Sequence, residues 1–221
     1  MCDVIKVCAV CKKEIEIDIN NIHGVARAKS DYYHPDCLIQ KAEKCIKRAK
    51  HDKCWDYVIN HISECEQDAK EVIYKRYWQD KLNEHLLKYY DIITFPDRFW
   101  EMVVDLNAGI YKGKRCKAVS MDLLYHTWAW GQRKLNAIAL NNKKNHKGPK
   151  NDSDRLGYDL AIVLSKVPNY IAYKNKIDAE EAERKKAQEE KVKINYNNIA
   201  KTTETQNYGL DDISGLLDDM F

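Results

Sequence analysis

This chain of 221 residues predicts a mainly α protein, and three observations predict it. Gly and Pro are scarce, at 8 and 4 residues, while charged residues make up 32%. That mix favours helices over turn-rich sheets. Apolar residues between Trp55 and Tyr89 recur at spacings of three and four, the period of one helix face. The exception is the N-terminus, where Cys8, Cys11, His34 and Cys37 read C-x2-C, then 22 residues, then H-x2-C. Each pair is short enough for two ligands from one tight turn to face the same ion. Four such ligands complete a tetrahedral Zn²⁺ site with no open position, the structural rather than the catalytic arrangement. The expected architecture is an N-terminal zinc finger with a short β-hairpin, a helical body and an extended C-terminal tail. Its segments are a zinc-finger module (1–37), a helical body (38–175), a charged helix with flexible linker (176–208) and an acidic-hydrophobic tail (209–221).

Between the ligand pairs, Ile15, Ile17 and Ile19 alternate with polar residues, and His23-Gly24 marks a turn. The stretch from Val25 to Tyr33 then returns toward the second pair, which gives material for the hairpin. Pro35 suits the first turn of a helix. From Cys37 to about Tyr90 the pattern predicts two helices with a break near His51-Asp52-Lys53. Cys54, His61 and Cys65 share a face of that region at i, i+7 and i+11. The outer two would lie roughly 16 Å apart on a helix, too far for one ion, so core packing is expected of them.

Phe95-Pro96-Asp97 separates the helical blocks. Phe99, Trp100, Val103, Val104 and Leu106 predict a short helix ending near Gly109. A basic loop from Tyr111 to Lys117 follows, with Lys112, Lys114, Arg115 and Lys117 around Gly113. Ser120 is the expected N-cap of a helix that runs to about Asn142. Gly131 in its middle suggests a close helix crossing. A second basic loop holds Lys143, Lys144, Lys147 and Lys150 around Gly148-Pro149. Ser153 is the expected cap of the next helix, and Pro168 is expected to kink or break it.

The composition shifts at about Lys176. Residues 178–193 predict a solvated helix with Glu180–Arg184, Glu181–Lys185 and Glu189–Lys193 as i, i+4 pairs. Residues 195–208 read as flexible linker. In 209–221 apolar residues reappear among acids, as in a docking peptide that orders on binding.

The net charge of +3 conceals an asymmetry: 209–221 hold four Asp and no base, which leaves +7 on 1–208. A basic body with an acidic tail suggests a polyanion partner plus a separate protein contact. Of eight Cys, three serve the expected metal site; Cys2, Cys45, Cys54, Cys65 and Cys116 remain, an odd number without framework spacing. Together with an N-terminus that lacks a basic start and long apolar run, they point to reduced thiols in a cytoplasm. No apolar stretch approaches the roughly 20 residues that span a bilayer, so no membrane partner is expected.

The ligand set with Tyr32-Tyr33-His34-Pro35-Asp36-Cys37 resembles one half of a LIM-type finger. A LIM domain would continue into a second zinc module directly after Cys37, which Cys45, Cys54 and Cys65 do not supply. The same residues are similar to the short N-terminal fingers of small accessory proteins from phages of Gram-positive bacteria, and the aromatic stretches 121–142 and 156–173 suit that comparison. Asp218-Asp219-Met220-Phe221 resembles the acidic, Phe-ending tip of single-stranded DNA-binding proteins. In that family the terminal Phe enters an apolar pocket and its carboxylate meets a basic rim. Ser214, Leu217, Met220 and Phe221 also resemble a sliding-clamp-binding peptide, with Ser214 where Gln is usual.

These resemblances imply an accessory factor in phage DNA replication or clamp-coupled late transcription. It would contact DNA, single-stranded or duplex, through the two lysine-rich loops. Its tail would recruit a replication or transcription protein such as a sliding clamp or polymerase. Tyr111 beside the first loop offers a ring for base stacking; Trp128 and Trp130 are expected in the core. The alternative is a pure protein adaptor or inhibitor of a host polymerase or replisome. No P-loop, GxSxG, HExxH or paired acidic motif is present, and Asp152-Ser153-Asp154, His126 and His146 form no catalytic set, so no enzyme activity is expected.

Overall fold

Strand β1 (Val4–Val7) pairs antiparallel with β2 (Glu14–Ile17), Val4 opposite Ile17 and Val7 opposite Glu14. On β2 the period of two is plain: Ile15 and Ile17 are buried, and Glu14 and Glu16 face out. A second antiparallel hairpin joins β3 (Ala26–Ala28) to β4 (Asp31–Tyr33). The one hairpin expected between the ligand pairs is therefore two. The isoleucine run pairs with residues before Cys8, and 25–33 folds back on itself through a two-residue turn in which Lys29 takes φ 58°. In this computed structural model the described residues are 2–48, 53–96, 98–145, 148–149 and 151–207.

Helix α1 (Pro35–Arg48) starts on Pro35, whose missing N–H costs nothing there, with Asp36 in its first turn and Lys47 and Arg48 in its last. Two helices follow, α2 (Lys53–Asn60) and α3 (Ile62–Tyr90). Among the described residues up to Tyr90 there are three helices rather than two, with α2 and α3 parted at His61, which has φ −134° and ψ 39°. The Asn60 side chain donates to the Asp56 carbonyl at 2.8 Å, and His61 Nδ1 lies 2.8 Å from that of Tyr57. The His61 ring thus reaches the Tyr57 carbonyl, the acceptor that the His61 N–H would have used had the helix continued.

Helix α4 (Phe99–Asn107) matches expectation. The expected basic loop is instead a small hairpin, β5 (Ile110–Tyr111) against β6 (Lys114–Arg115). Its two-residue turn is Lys112-Gly113, with φ 50° and 75°. Two successive positive φ values match the twist of paired strands, and Gly113 takes the second without a Cβ clash. Helix α5 (Met121–Lys144) follows Ser120, whose side chain makes no capping bond. A Cβ on Gly131 would meet no atom within 4 Å, so the expected close crossing is not there. Helix α6 (Asp152–Asn207) is capped by Asn151, which accepts the Asp154 N–H at 2.8 Å; Ser153 lies inside the helix. Pro168 neither breaks α6 nor stops it short of the stretch expected as linker. Proline removes one ladder bond, and no Gly or further Pro occurs from 169 to 207 to stop propagation.

The chain divides into two compact units, Met1–Val167 and Pro168–Phe221. Within the first there are two hydrophobic cores. The first joins β1–β4, α1, α2 and the start of α3 through Cys8, Ile17, Val25, Leu38, Trp55 and Ile73. Ala26 and Ala28 are buried, and small residues let β3 lie close against α3. The second core joins the end of α3 to α4, α5 and the start of α6 through Leu86, Phe99, Leu124, Trp128, Leu156 and Leu160. A polar cluster crosses it. The Tyr90 hydroxyl donates to Asp159 Oδ2 at 2.7 Å, and Arg155 Nε lies 3.5 Å from the same oxygen. The Arg155 guanidinium stacks over the Tyr90 ring at 5.1 Å.

In the second unit, taken alone, residues 168–191 of α6 are exposed apart from the half-buried Tyr170 and Ile177. Among the described residues its ion pair is Lys176–Glu180, rather than Glu180–Arg184 or Glu181–Lys185. No helix among the described residues is long and apolar enough to cross a membrane.

Candidate metal centre

Cys8 and Cys11 lie in the turn that joins β1 to β2. The Cys8 N–H donates to the Lys13 carbonyl at 2.9 Å, and the Lys12 N–H donates to the Cys8 carbonyl at 3.0 Å. Lys12 takes φ 63°, so the chain doubles back within a few residues. The Ala9 N–H donates to the Tyr32 carbonyl at 2.9 Å and ties this turn to β4. His34 follows β4 directly, and Cys37 stands in the first turn of α1. The Leu38 N–H donates to the His34 carbonyl at 3.0 Å, which fixes the angle between those two ligands. One ligand pair therefore comes from a strand turn and the other from a helix start, and a single backbone bond holds the two together.

The four donor atoms all lie within 4.8 Å of one another. Cys11 Sγ is 3.5 Å and Cys37 Sγ 3.9 Å from His34 Nδ1. In a tetrahedral site with bonds of about 2.0–2.3 Å, neighbouring ligand atoms are about 3.5–3.8 Å apart. The set fits a metal ion after a contraction of less than about 1.5 Å in its longest edge. Among the described residues this is the one group of three or more metal-ligating side chains so arranged.

The electrostatics favour a central cation. Burial opposes ionisation of Cys8, but hydrogen bonds from the Cys11, His34 and Val10 backbones and the His34 side chain outweigh it and bring the thiol down to about 6. Burial, then the neighbouring Cys11 and Cys8 sulfurs, push Cys37 up to about 11. Three sulfurs so close cannot all ionise without a positive charge among them. A divalent cation reverses that balance and takes all three as thiolates.

The remaining candidate residues are spread over the chain. Lys112, Lys114, Arg115 and Lys117 are exposed on and beside the β5–β6 hairpin. The half-buried Tyr111 ring packs on the second core with its hydroxyl buried, and the Lys112 ammonium lies 5.4 Å from the ring centroid. Lys143 and Lys144 are exposed in the last turn of α5 rather than in a loop. Lys147, Lys150, Ser214, Leu217, Met220 and Phe221 lie outside the described residues. Trp128 is fully buried, whereas Trp130 is 42% exposed. Cys54 and Cys65 line a cleft of about 480 Å³ between β3 and the α2–α3 corner. Asp159, only 2% exposed, is a buried carboxylate that the sequence pattern does not announce. The i, i+4 spacing of Arg155 and Asp159 is its one visible signal.

Chemically, the Cys₃His cluster is a closed four-donor site that could bind a metal ion and join β1–β2, β4 and α1 at one point. The chain matches no family model, no curated protein and no solved structure.

Proposed function

We propose that the cluster holds Zn²⁺ as a structural ion, and that the chain is a nucleic-acid-associated accessory factor in phage DNA replication or clamp-coupled late transcription. Three sulfurs and one imidazole nitrogen are a donor set that suits Zn²⁺, and the absence of an open position leaves no place for a substrate. We assign no catalytic step.

The observation that carries the nucleic-acid reading is the β5–β6 hairpin. It presents Lys112, Lys114, Arg115 and Lys117 to solvent, and Lys114, Arg115 and Lys117 make no ion pair among the described residues. Unpaired cations on a tight turn suit phosphate binding, with Lys143 and Lys144 as further candidates. Residues 209–221 would then recruit a clamp or polymerase. The test is binding to single-stranded and duplex oligonucleotides over a salt series. Replacing the four hairpin cations with Ala should flatten the log–log salt slope by up to about 0.9 for each phosphate that the variant leaves unneutralised. No binding by the intact chain at low salt contradicts the reading.

A second reading, a pure protein adaptor or inhibitor, is favoured by Ile5 and Val7. They expose 55% and 56% of their surface on β1, beside the metal centre. A partner retained after nuclease treatment and lost on deletion of 209–221 supports the adaptor.

A further inference from the structure

The donors of the cluster do not stand equally toward solvent. Cys11 is exposed, Cys37 is half-buried, and Cys8 is fully buried in the first core. Cys8 and Cys11 share one turn, closed by the Cys8–Lys13 and Lys12–Cys8 backbone bonds, whereas Cys37 is held on a separate element, α1. A solvent-facing thiolate meets an oxidant first, and a sulfenic acid formed beside a second sulfur condenses with it. The partner already in the same turn is Cys8.

We propose that the Cys8–Cys11 turn is a peroxide-sensitive latch, in which a hydroperoxide converts the two donors to a disulfide and opens the metal site. The inference rests on the Zn²⁺ reading above. In the first step the Cys11 sulfur attacks one peroxide oxygen. The O–O bond breaks, Cys11 becomes a sulfenic acid, and hydroxide leaves and is protonated by solvent. In the second step the Cys8 sulfur attacks the Cys11 sulfur. The S–S bond forms, the S–O bond breaks, and the oxygen leaves as hydroxide and takes a proton. The two sulfurs together lose two electrons, and hydrogen peroxide is reduced to water. The metal keeps its charge throughout. His34 and Cys37 remain, too few donors for a structural ion. A dithiol reductant reverses the change by exchange.

The test uses the full chain with Zn²⁺ bound and stepwise additions of hydrogen peroxide. A chromogenic chelator reads released metal, and mass spectrometry of alkylated peptides reads the cross-links. Cys2, Cys54 and Cys116 are exposed and lie outside the cluster, so a Cys2→Ser/Cys54→Ser/Cys116→Ser variant is run in parallel. The expected result is release of about one equivalent of Zn²⁺ in step with a Cys8–Cys11 bridge, in both proteins, with re-uptake after dithiothreitol. Metal retained after Cys2, Cys54 and Cys116 are oxidised overturns the latch. So does Cys11 joined to Cys37, or Cys11 over-oxidised without a bridge. A chain that takes up no Zn²⁺ before peroxide is added contradicts the metal reading itself, and that failure shows at an earlier step.

Discussion

The two cores meet along one helix and are held by different means. Helix α3 gives Cys65, Ala69 and Ile73 to the first core and Leu82, Leu86 and Tyr90 to the second. Around the first are strands of three or four residues and a buried surface that includes four alanines, Ala26, Ala28, Ala42 and Ala69. Two-stranded ribbons of that length are marginal alone, and small side chains bury little apolar area. The second core has a fully buried Trp128 and leucines from α3, α4, α5 and α6. Long helices with large side chains close such a core by packing. On the Zn²⁺ reading proposed above, the difference teaches where an ion would matter: the first core, with short strands and small side chains, is the one that a clasp at Cys8, Cys11, His34 and Cys37 would hold.

The largest effect expected to break this comparison is loss of the clasp. Structural Zn²⁺ sites contribute on the order of 10 kcal/mol in apparent binding energy, so a chelator or Cys8→Ala should unfold the first core. Hydrogen exchange should then run fast at the Ile15, Val25 and Ile73 amides and stay slow at Leu124, Trp128 and Leu160. Equal protection of both sets after metal removal contradicts the asymmetry.

Next in size is the polar cluster of the second core. Asp159→Ala leaves the Tyr90 hydroxyl and the Arg155 guanidinium facing a void, and should cost about 3 kcal/mol in denaturant unfolding. Asp159→Asn keeps an acceptor for Tyr90 but takes the counter-charge from Arg155, so it should cost less than Asp159→Ala and still be destabilising. Burial, followed by the bond to Asp159, raises the Tyr90 phenol above its usual range. A raised pKa favours the neutral phenol in the fold. Its contribution is complete below pH about 10 and is lost as the pH climbs further. Tyr90→Phe should therefore flatten the alkaline fall in stability of the second core and leave the first core's profile unchanged. An unaltered alkaline slope would place the sensitivity elsewhere.

The smallest effect sharpens the comparison from the other side. Gly131 sits within α5 with open space where a Cβ would go. Gly131→Ala should raise stability by about 0.5–1 kcal/mol, in the thermal transition of the second core alone.

The four residues of the candidate metal cluster are legible in the sequence because spacing encodes them: Cys8–Cys11 and His34–Cys37 each form a pair before any tertiary contact exists. Helix type is legible from Trp55 to Leu140 for a similar reason, since the apolar period is local. The missing parts depend on partners far along the chain or on side chains that compete with backbone. Strand β1 escapes the sequence pattern because Val4–Val7 has meaning only opposite Glu14–Ile17. At the break the His61 ring reaches back to the Tyr57 carbonyl, which periodicity does not show. Asp159 stays hidden because a carboxylate on a helix is expected to face water, and only Tyr90, 69 residues earlier, brings it inside. Lys112-Gly113 lacks the Asn-Gly signature of a tight hairpin, so it reads as loop although Gly113 supplies the needed φ.

The central claim is that one ion organises the N-terminal core, and metal titration of the metal-free chain tests it most directly. Co²⁺ or Zn²⁺ is added while the absorption of a thiolate-bound tetrahedral ion and the exchange protection of Ile17, Leu38 and Ile73 are followed together. The account predicts saturation at one ion per chain, with three thiolates deprotonated and protection of these residues appearing in step. An N-terminal core equally protected without metal, or no saturable uptake, would contradict it.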